Sequence, residues 1–597
     1  MTESPRRMRR ALPVLALAGV SFAIGAIVGA NASAPASHTL ASKFVAAWAR
    51  GDYATMYSEI DGSSQRGMTP TAFASAYQQA LITATATRVQ VAGKPSDQPE
   101  GMVAVPVRVH TSLFGTLELR FMLKIAAQAD GEGERVVWSR SLLFPGLRAE
   151  ERLSRTTTLP RRATLLARDG TVLAEGSTSG VLGEQSRSSP LGELASAVIG
   201  AVGTVPAARR QALEAQGVEP DAIVGVSGLE LAFDDRLRGT AGGELLAQSP
   251  QEAGRGRVLG SAAPRPAPAL RSSISPSIQR AAVSALGGQL GGIVAMEPAS
   301  GRILAVTGIG MNGLQPPGST FKMITLSGVL QYGIANPRTV FQYASYATLD
   351  GVRLNNANGE NCGGTLELAF AVSCNSVFTP LGVKLGAARL VSTAEAFGFN
   401  HDAGIAGASE STLPAPGAIQ GELAIGSTAI GQGQVLATPL EMTTVAATIA
   451  DGGRRPRPTF EQTGSPAPAV RAISATVART VRHLMIAVVR LGTGTSAAIP
   501  GVVVAGKTGT AELKSPCSSA GSAAESHEEK SPAGGSEGCV PTGQQASNTD
   551  AWFAAFAPAL HPRIVVGVLL VKDGAGGETA APVARQVLEA GLQAGAH

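Results

Sequence analysis

The chain has 597 residues, 44% hydrophobic and 16% charged, a globular composition long enough for about four domains, so disorder is confined to segments. Its net charge of +5 is concentrated at the start, where Arg6, Arg7, Arg9 and Arg10 against Glu3 account for +3, which excludes a nucleic-acid footprint over the body. The four cysteines lack zinc-ligand spacing and the seven histidines are scattered, so the sequence indicates neither a metal site nor a cofactor.

Residues 1–10 read as a basic cytoplasmic tail, and the uncharged run from Ala11 to Asn31 is long enough to span a bilayer. Arginines kept inside place everything after residue 31 outside the cytoplasmic membrane. Ala30-Asn31-Ala32 and Ala32-Ser33-Ala34 offer a cleaved signal peptide as the competing reading; the length of the apolar run favours an uncleaved anchor. Residues 36–150 read as a small α+β domain, helical over Leu40–Arg50, Tyr53–Glu59 and Thr69–Thr83, then strands at Arg88–Ala92, Met102–His110, Leu117–Ile125 and Arg135–Ser139. Trp48, Tyr53, Tyr57 and Trp138 are its expected core aromatics, and no paired carboxylates make it catalytic.

Residues 153–268 change to short strands punctuated by Gly, Ser and Pro, with Asp169-Gly170 as a hairpin signal and Pro264 to Pro268 as a linker. From Leu270 to residue 597 strands and helices interleave. A helix capped by Ser275 runs through Leu286, strands follow at Gly291–Glu297 and Arg302–Gly308, and helices come after Pro439 and at Thr476–Arg490. Strands are expected at Val502–Ala505, Ala551–Ala557 and Arg563–Val571, with a last helix from Ala581. Residues 515–548, rich in Ser, Gly, Ala and Glu without periodicity, read as a flexible insertion.

The chemistry is organised around Pro317-Gly318-Ser319-Thr320-Phe321-Lys322, followed by an apolar helix from Met323 to Leu330. Residues three apart on a helix share a face, so the Lys322 amine can reach the Ser319 hydroxyl and act as its base. A lysine at its reference value near 10.4 is the wrong protonation state at neutral pH; lowering it to near 7 means roughly 4 kcal/mol against the ammonium, which burial and a second cation together can supply. A lone S-x-x-K arises by chance about once in a chain this long. Two further pieces change the odds. Ser373-Cys374-Asn375 follows the helix-like Thr365–Val372 and offers a hydroxyl and an amide; Lys507-Thr508-Gly509-Thr510 continues a strand and suits an anionic carboxylate, with Gly509 admitting substrate backbone.

These three motifs, with Gly291 to Pro298, Ser300 to Ala305, Gly431-Gln432-Gly433, Ala437 to Leu440 and Asp550 to Phe553, resemble the penicillin-binding proteins, serine D,D-transpeptidases. The resemblance covers residues 270–597. Gly228-Leu229-Glu230 and Leu237-Arg238-Gly239 look like the dimerisation or pedestal domain of class B members, and residues 36–150 resemble the nuclear-transport-factor-2-like domain of low-affinity, resistance-associated members. The implied fold is multidomain α/β and α+β: a transpeptidase domain with an antiparallel sheet flanked by helices, a β-rich pedestal, a cystatin-like α+β domain in front and one transmembrane helix. The implied activity is cross-linking of peptidoglycan stem peptides ending in D-Ala-D-Ala, with acylation by β-lactams. In it Ser319 is the nucleophile and Lys322 takes its proton, Ser373 shuttles the proton, and Asn375 holds the substrate amide. Lys507, Thr508 and Thr510 bind the terminal carboxylate, with Gly509 beside them, and the backbone N–H groups of Ser319 and Thr510 form the oxyanion hole. No glycosyltransferase domain precedes the pedestal, which implies a separate glycan polymerase and division or elongation proteins as partners.

Rival readings share the apparatus. A β-lactamase needs a second base, and no Glu followed three residues later by Asn occurs after Ser373; a β-lactam sensor or a non-catalytic scaffold is expected to carry a signalling domain or to have lost a motif. A D,D-carboxypeptidase differs only in using water as acceptor. An extracytoplasmic body permits disulfides, the most local arrangement being Cys362–Cys374 with Cys517–Cys539, one of three connectivities.

Overall fold

The computed structural model describes residues 35–128, 133–176, 187–249, 256–465, 467–512 and 548–594. The tail 1–10, the apolar run 11–31, insertion residues 515–547, Cys517 and Cys539 lie outside the described residues. Among the described residues no helix is long and apolar enough to cross a membrane.

In the N-terminal region helices Ala36–Arg50, Tyr53–Ser58, Gly62–Gly67 and Pro70–Thr83 pack on an antiparallel sheet of Ala86–Val91, Met102–Thr111, Thr116–Ala127 and Glu134–Val137, with Ser96–Gln98 on Met102–Thr111. Val103, Val105, Val107 and Val109 alternate onto the buried face, which is why the strand was readable from its period of two. Thr69 is the cap of Pro70–Thr83 and not its first residue, since its hydroxyl accepts from the Ala72 N–H. Of the four aromatics expected in the core only Trp48 is fully buried; Tyr57 and Trp138 keep polar tips in reach of the Gln65 carbonyl and the Tyr77 hydroxyl, while Phe73 and Tyr77 take the centre.

The middle segment serves two cores. Strands Arg152–Thr158, Gly242–Gln248 and Gly256–Ala262 form an antiparallel sheet whose Leu245 and Ala247 join the N-terminal core, whereas Leu165, Leu173, Leu229, Phe233 and Leu237 join the C-terminal one. The Asp169-Gly170 turn does connect two paired strands, Leu165–Leu166 and Val172–Ala174. The same segment holds a buried ion cluster. The Arg162 guanidinium meets Glu230 at 2.6 Å and Asp234 at 2.8 Å; Arg187 adds a contact to Glu230 at 2.9 Å and Arg238 one to Asp234 at 2.7 Å.

The C-terminal region is built on an antiparallel sheet in the order Ile303–Gly308, Gly291–Met296, Ile564–Leu570, Thr549–Ala557, Ala505–Glu512. Ile293 and Ala295 face helices Pro276–Leu286 and Ala580–Ala594, while Val294 and Met296 face the larger core holding Lys322–Gln331, Pro439–Ala450 and Ala475–Leu491. Two expectations need correction. Ser275 stands at the start of Pro276–Leu286, but its hydroxyl pairs with that of Ser277 instead of capping, and Pro276 provides the helical start. The strand expected at Val502–Ala505 runs instead over Ala505–Glu512, pairing from Ala505 opposite Phe556 to Glu512 opposite Thr549. Its Gly, Lys and Thr residues have no apolar alternation to betray it.

Candidate active site

Ser319 lies in a 3-10 turn, Gly318–Phe321, that runs into the buried helix Lys322–Gln331. The turn is seated against the edge strand by two glycines. Gly318 is at φ +50° and a Cβ there would stand 2.8 Å from the Thr510 carbonyl oxygen; a Cβ on Gly509 would stand 2.7 Å from that of Pro317. Ser319 is half-buried, whereas the side chains behind it are sealed: Lys322 and Lys507 are both fully buried.

Three oxygens lie within hydrogen-bond distance of the Lys322 nitrogen. It donates to the Ser373 carbonyl at 2.6 Å, to Asn375 Oδ1 at 2.7 Å and to Ser373 Oγ at 3.3 Å. No hydrogen bond joins it to Ser319; where the three-residue spacing led to the expectation of that contact, the nitrogen bonds the second motif. From the other side Lys507 donates to Ser373 Oγ at 2.8 Å and to the Thr508 carbonyl at 3.0 Å. Ser373 Oγ is thus the meeting point of two lysine amines. The Phe378 and Phe370 rings lie 5.5 Å from the Lys322 and Lys507 nitrogens respectively.

Neither lysine forms an ion pair with a carboxylate among the described residues. Burial, and after it the charge of Lys507, pull Lys322 well below the usual lysine range; burial pushes Lys507 down to about 7. Burial without a carboxylate partner disfavours the ammonium form of an amine.

Local structure holds the second motif in place. Ser373 adopts φ +62°, a left-handed backbone that costs a non-glycine residue roughly 1 kcal/mol or more. It is held between helices Leu366–Ala371 and Asn375–Leu385, and Cys374 is tied to Cys362 by a disulfide, as the most local pairing expected. Asn375 Nδ2 donates to the Asn355 carbonyl at 2.8 Å, which turns its Oδ1 toward Lys322. In the third motif the Thr508 hydroxyl meets that of Thr493 at 2.5 Å, and the Thr510 hydroxyl accepts from the Gly576 N–H at 3.4 Å. The structure therefore joins Lys322, Ser373, Asn375, Lys507 and Thr508 in one polar chain, with Ser319, Gly509 and Thr510 packed at its edge. Sequence reasoning missed Thr493, Asn355 and Asn356. Thr493 stands in Gly492-Thr493-Gly494-Thr495, whose texture signals a turn but not a partner fifteen residues on.

Models of three domains match this chain: the penicillin-binding protein transpeptidase domain over residues 291–589, the penicillin-binding protein dimerisation domain over 178–266 and the NTF2-like N-terminal transpeptidase domain over 36–151. The peptidoglycan D,D-transpeptidase PbpA of Mycolicibacterium smegmatis is 33% identical over 389 residues, 54% of this chain and 72% of that protein. MrdA of Acinetobacter baumannii, also a peptidoglycan D,D-transpeptidase, is 27% identical over 462 residues, 68% of this chain and 66% of that protein. The crystal structure of PBPA from Mycobacterium tuberculosis superposes with a TM-score of 0.54 at 27% identity, covering 72% of this chain and 99% of that one, and its imipenem acyl-enzyme complex does so equally at 98%. The chain belongs to the penicillin-binding protein transpeptidase family.

Proposed function

We propose that this protein is a peptidoglycan D,D-transpeptidase that works through an acyl-enzyme on Ser319. The observation that carries the reading is the convergence of two buried, carboxylate-free lysine amines on Ser373 Oγ beside the Ser319 turn. The Ser319 oxygen bonds to the penultimate D-Ala carbonyl carbon while its proton passes to neutral Lys322. The amide C–N bond then breaks, and Ser373 hands a proton to the departing D-Ala amine while taking up the one held by Lys322. An amine of a second stem peptide attacks the ester, forms the cross-link and returns Ser319 to its hydroxyl. Backbone N–H groups of Ser319 and Thr510 hold the oxyanion, each donor contributing about 2.7–4 kcal/mol in comparable enzymes. Asn375 retains one N–H for the substrate amide, and Lys507, Thr508 and Thr510 take the terminal carboxylate. Ala505–Glu512 is the last strand of its sheet, the position at which an extended peptide would add as a further strand.

The same reading covers the rest of the chain: an NTF2-like domain over 36–150, a pedestal over 153–268 and the catalytic domain over 270–597. An anchor over 11–31 leaves the tail inside and the body outside, which the Cys362–Cys374 disulfide supports, since such bonds persist in oxidising compartments. A separate glycan polymerase and division or elongation proteins are its partners. The test is intact-mass analysis after incubation with benzylpenicillin, followed by peptide mapping. One penicilloyl group on Ser319, stable for minutes to hours, is expected, because the sequence has no Glu followed three residues later by Asn after Ser373 that would supply a second base. An adduct elsewhere ends the site assignment, and rapid multi-turnover hydrolysis favours a β-lactamase. A stem peptide offered with a competing D-amino acid separates transfer from carboxypeptidase action.

A further inference from the structure

We propose that Asn356 is a positioning residue for this reaction, acting through the Asn375 carboxamide; the inference rests on the transpeptidase reading above. Asn356 is 4% exposed and stands where the strand Val352–Asn355 ends. Its Nδ2 donates to the carbonyls of Ala344 at 2.7 Å and Glu360 at 2.8 Å, its Oδ1 accepts from the Ser376 N–H at 2.8 Å, and its own N–H donates to the Ser345 carbonyl at 2.9 Å. Every polar group of the residue is therefore used, and each fixes a different piece of backbone.

The consequence lies one residue back. The Asn355 carbonyl is the acceptor for Asn375 Nδ2. A carboxamide is nearly symmetric in shape, so its two orientations differ in partners and not in packing. In the observed orientation Nδ2 faces the Asn355 carbonyl and Oδ1 accepts from Lys322 at 2.7 Å. In the reversed orientation an oxygen would face the Asn355 carbonyl and N–H groups would face the Lys322 amine, so both contacts would be lost. One backbone carbonyl thus decides which end of Asn375 meets the base and which N–H remains for the substrate. Asn355 itself is exposed, and the chain beyond it turns through Asn358 at φ +53° and Gly359 at φ +68°. Two parallel links hold it: Asn355 to Asn375 and Asn356 to Ser376. Asn356 touches neither Lys322 nor the Ser319 turn in its hydrogen bonding, so its effect passes through Asn375.

The experiment is a double-mutant cycle on the second-order rate of acylation by fluorescent benzylpenicillin, using the full chain and melting each variant alongside. Asn356→Ala should slow acylation on the order of 10- to 100-fold, the scale of a misplaced catalytic group. In an Asn375→Ala background the same substitution should change the rate by less than about 2-fold, because its route is already removed. Asn356→Asp keeps the size and the acceptor for the Ser376 N–H but loses the two donated bonds, so it should fall between; it takes the place of Asn356→Ala in the cycle if the alanine variant does not fold. Equal losses in both backgrounds, or an unchanged rate in a folded Asn356 variant, overturn the proposal. A wild-type chain that is never acylated sinks the transpeptidase reading instead, and this one with it.

Discussion

Arg162, Arg187 and Arg238 in the middle segment and Lys322 and Lys507 at the site are all buried cations, but the arginines meet carboxylates and the lysines meet only neutral oxygens. Around Asp234 burial works against ionisation, yet the Gly225 N–H and the charges of Arg162 and Arg238 win, and its carboxyl is held below the ordinary value. Each arginine there bonds a carboxylate, and the cluster ties together stretches of chain 68 and 72 residues apart. At the site no carboxylate offsets the lysines, and the cheapest relief is loss of the proton. Similar burial therefore leaves ion pairs in one place and lowered lysines, suited to the base role proposed for Lys322, in the other, and the partner decides which.

Opposite responses to substitution sharpen that contrast. Lys322→Met should lower the acylation rate by about 10²- to 10⁴-fold, as expected for a missing general base, with a smaller loss of stability than Arg162→Met, since the Ser373 and Asn375 oxygens lose a donor but no buried carboxylate loses its cation. A normal rate of penicillin labelling would remove Lys322 from proton transfer. Arg162→Met should do the reverse. It leaves Glu230 and Asp234 short of a buried partner and should cost about 3–5 kcal/mol of stability in a denaturant titration, with acylation per folded molecule unchanged. An unaltered midpoint would show that Arg187, Arg238 and Arg209, which lies 2.7 Å from Asp234, suffice. Third in size is Lys507→Ala, for which a loss of about 10²-fold in acylation is expected from the missing carboxylate anchor. Because the Lys507 charge lowers Lys322, its removal should also move the acid limb of the acylation profile to higher pH. A limb that stays in place would mean that burial alone sets Lys322.

How much of this was legible follows the same line. The three motifs were visible because their chemistry is local: Ser319 and Lys322, Ser373 and Asn375, and the run from Lys507 to Thr510 each sit within four residues. Helices such as Ala475–Leu491 and strands such as Met102–Thr111 were visible because apolar residues mark a buried face. What escaped was either non-local or unpatterned. Arg162 meets partners 68 and 72 residues away, and nothing in its neighbourhood announces them. Lys322 was expected on Ser319 because spacing counts only residues on one helix; the oxygens that hold it come from Ser373 and Asn375. The strand expected to begin at Val502 begins at Ala505 and runs to Glu512, and its bounds were hard to read because Gly and Thr there answer the close approach of the Ser319 turn and show no apolar alternation.

Glu441 tests the comparison at its weakest point, being a buried carboxyl with a cation near but not bonded. It occupies the third position of helix Pro439–Ala450, where its N–H bonds the Thr438 hydroxyl at 3.1 Å, and its Oε1 has no partner among the described residues. A helix N-terminus favours a carboxylate by about 0.3–1 kcal/mol, and Arg455 favours it too, but burial outweighs both and raises the carboxyl to about 7. The folded value thus lies above the ordinary 4.5. Below about pH 4.5 both folded and unfolded chains hold the proton and nothing is lost; as pH rises toward 7 the unfolded chain ionises first, and stability falls by at most about 3 kcal/mol. Glu441→Gln should remove that slope. Its stability should match the wild type near pH 4 and exceed it at pH 8, with acylation untouched because Glu441 has no contact with the Lys322 chain. Stability curves that run parallel across this window would show that Arg455 pairs with Glu441 after all, placing it with the arginine cluster and not with the lysines.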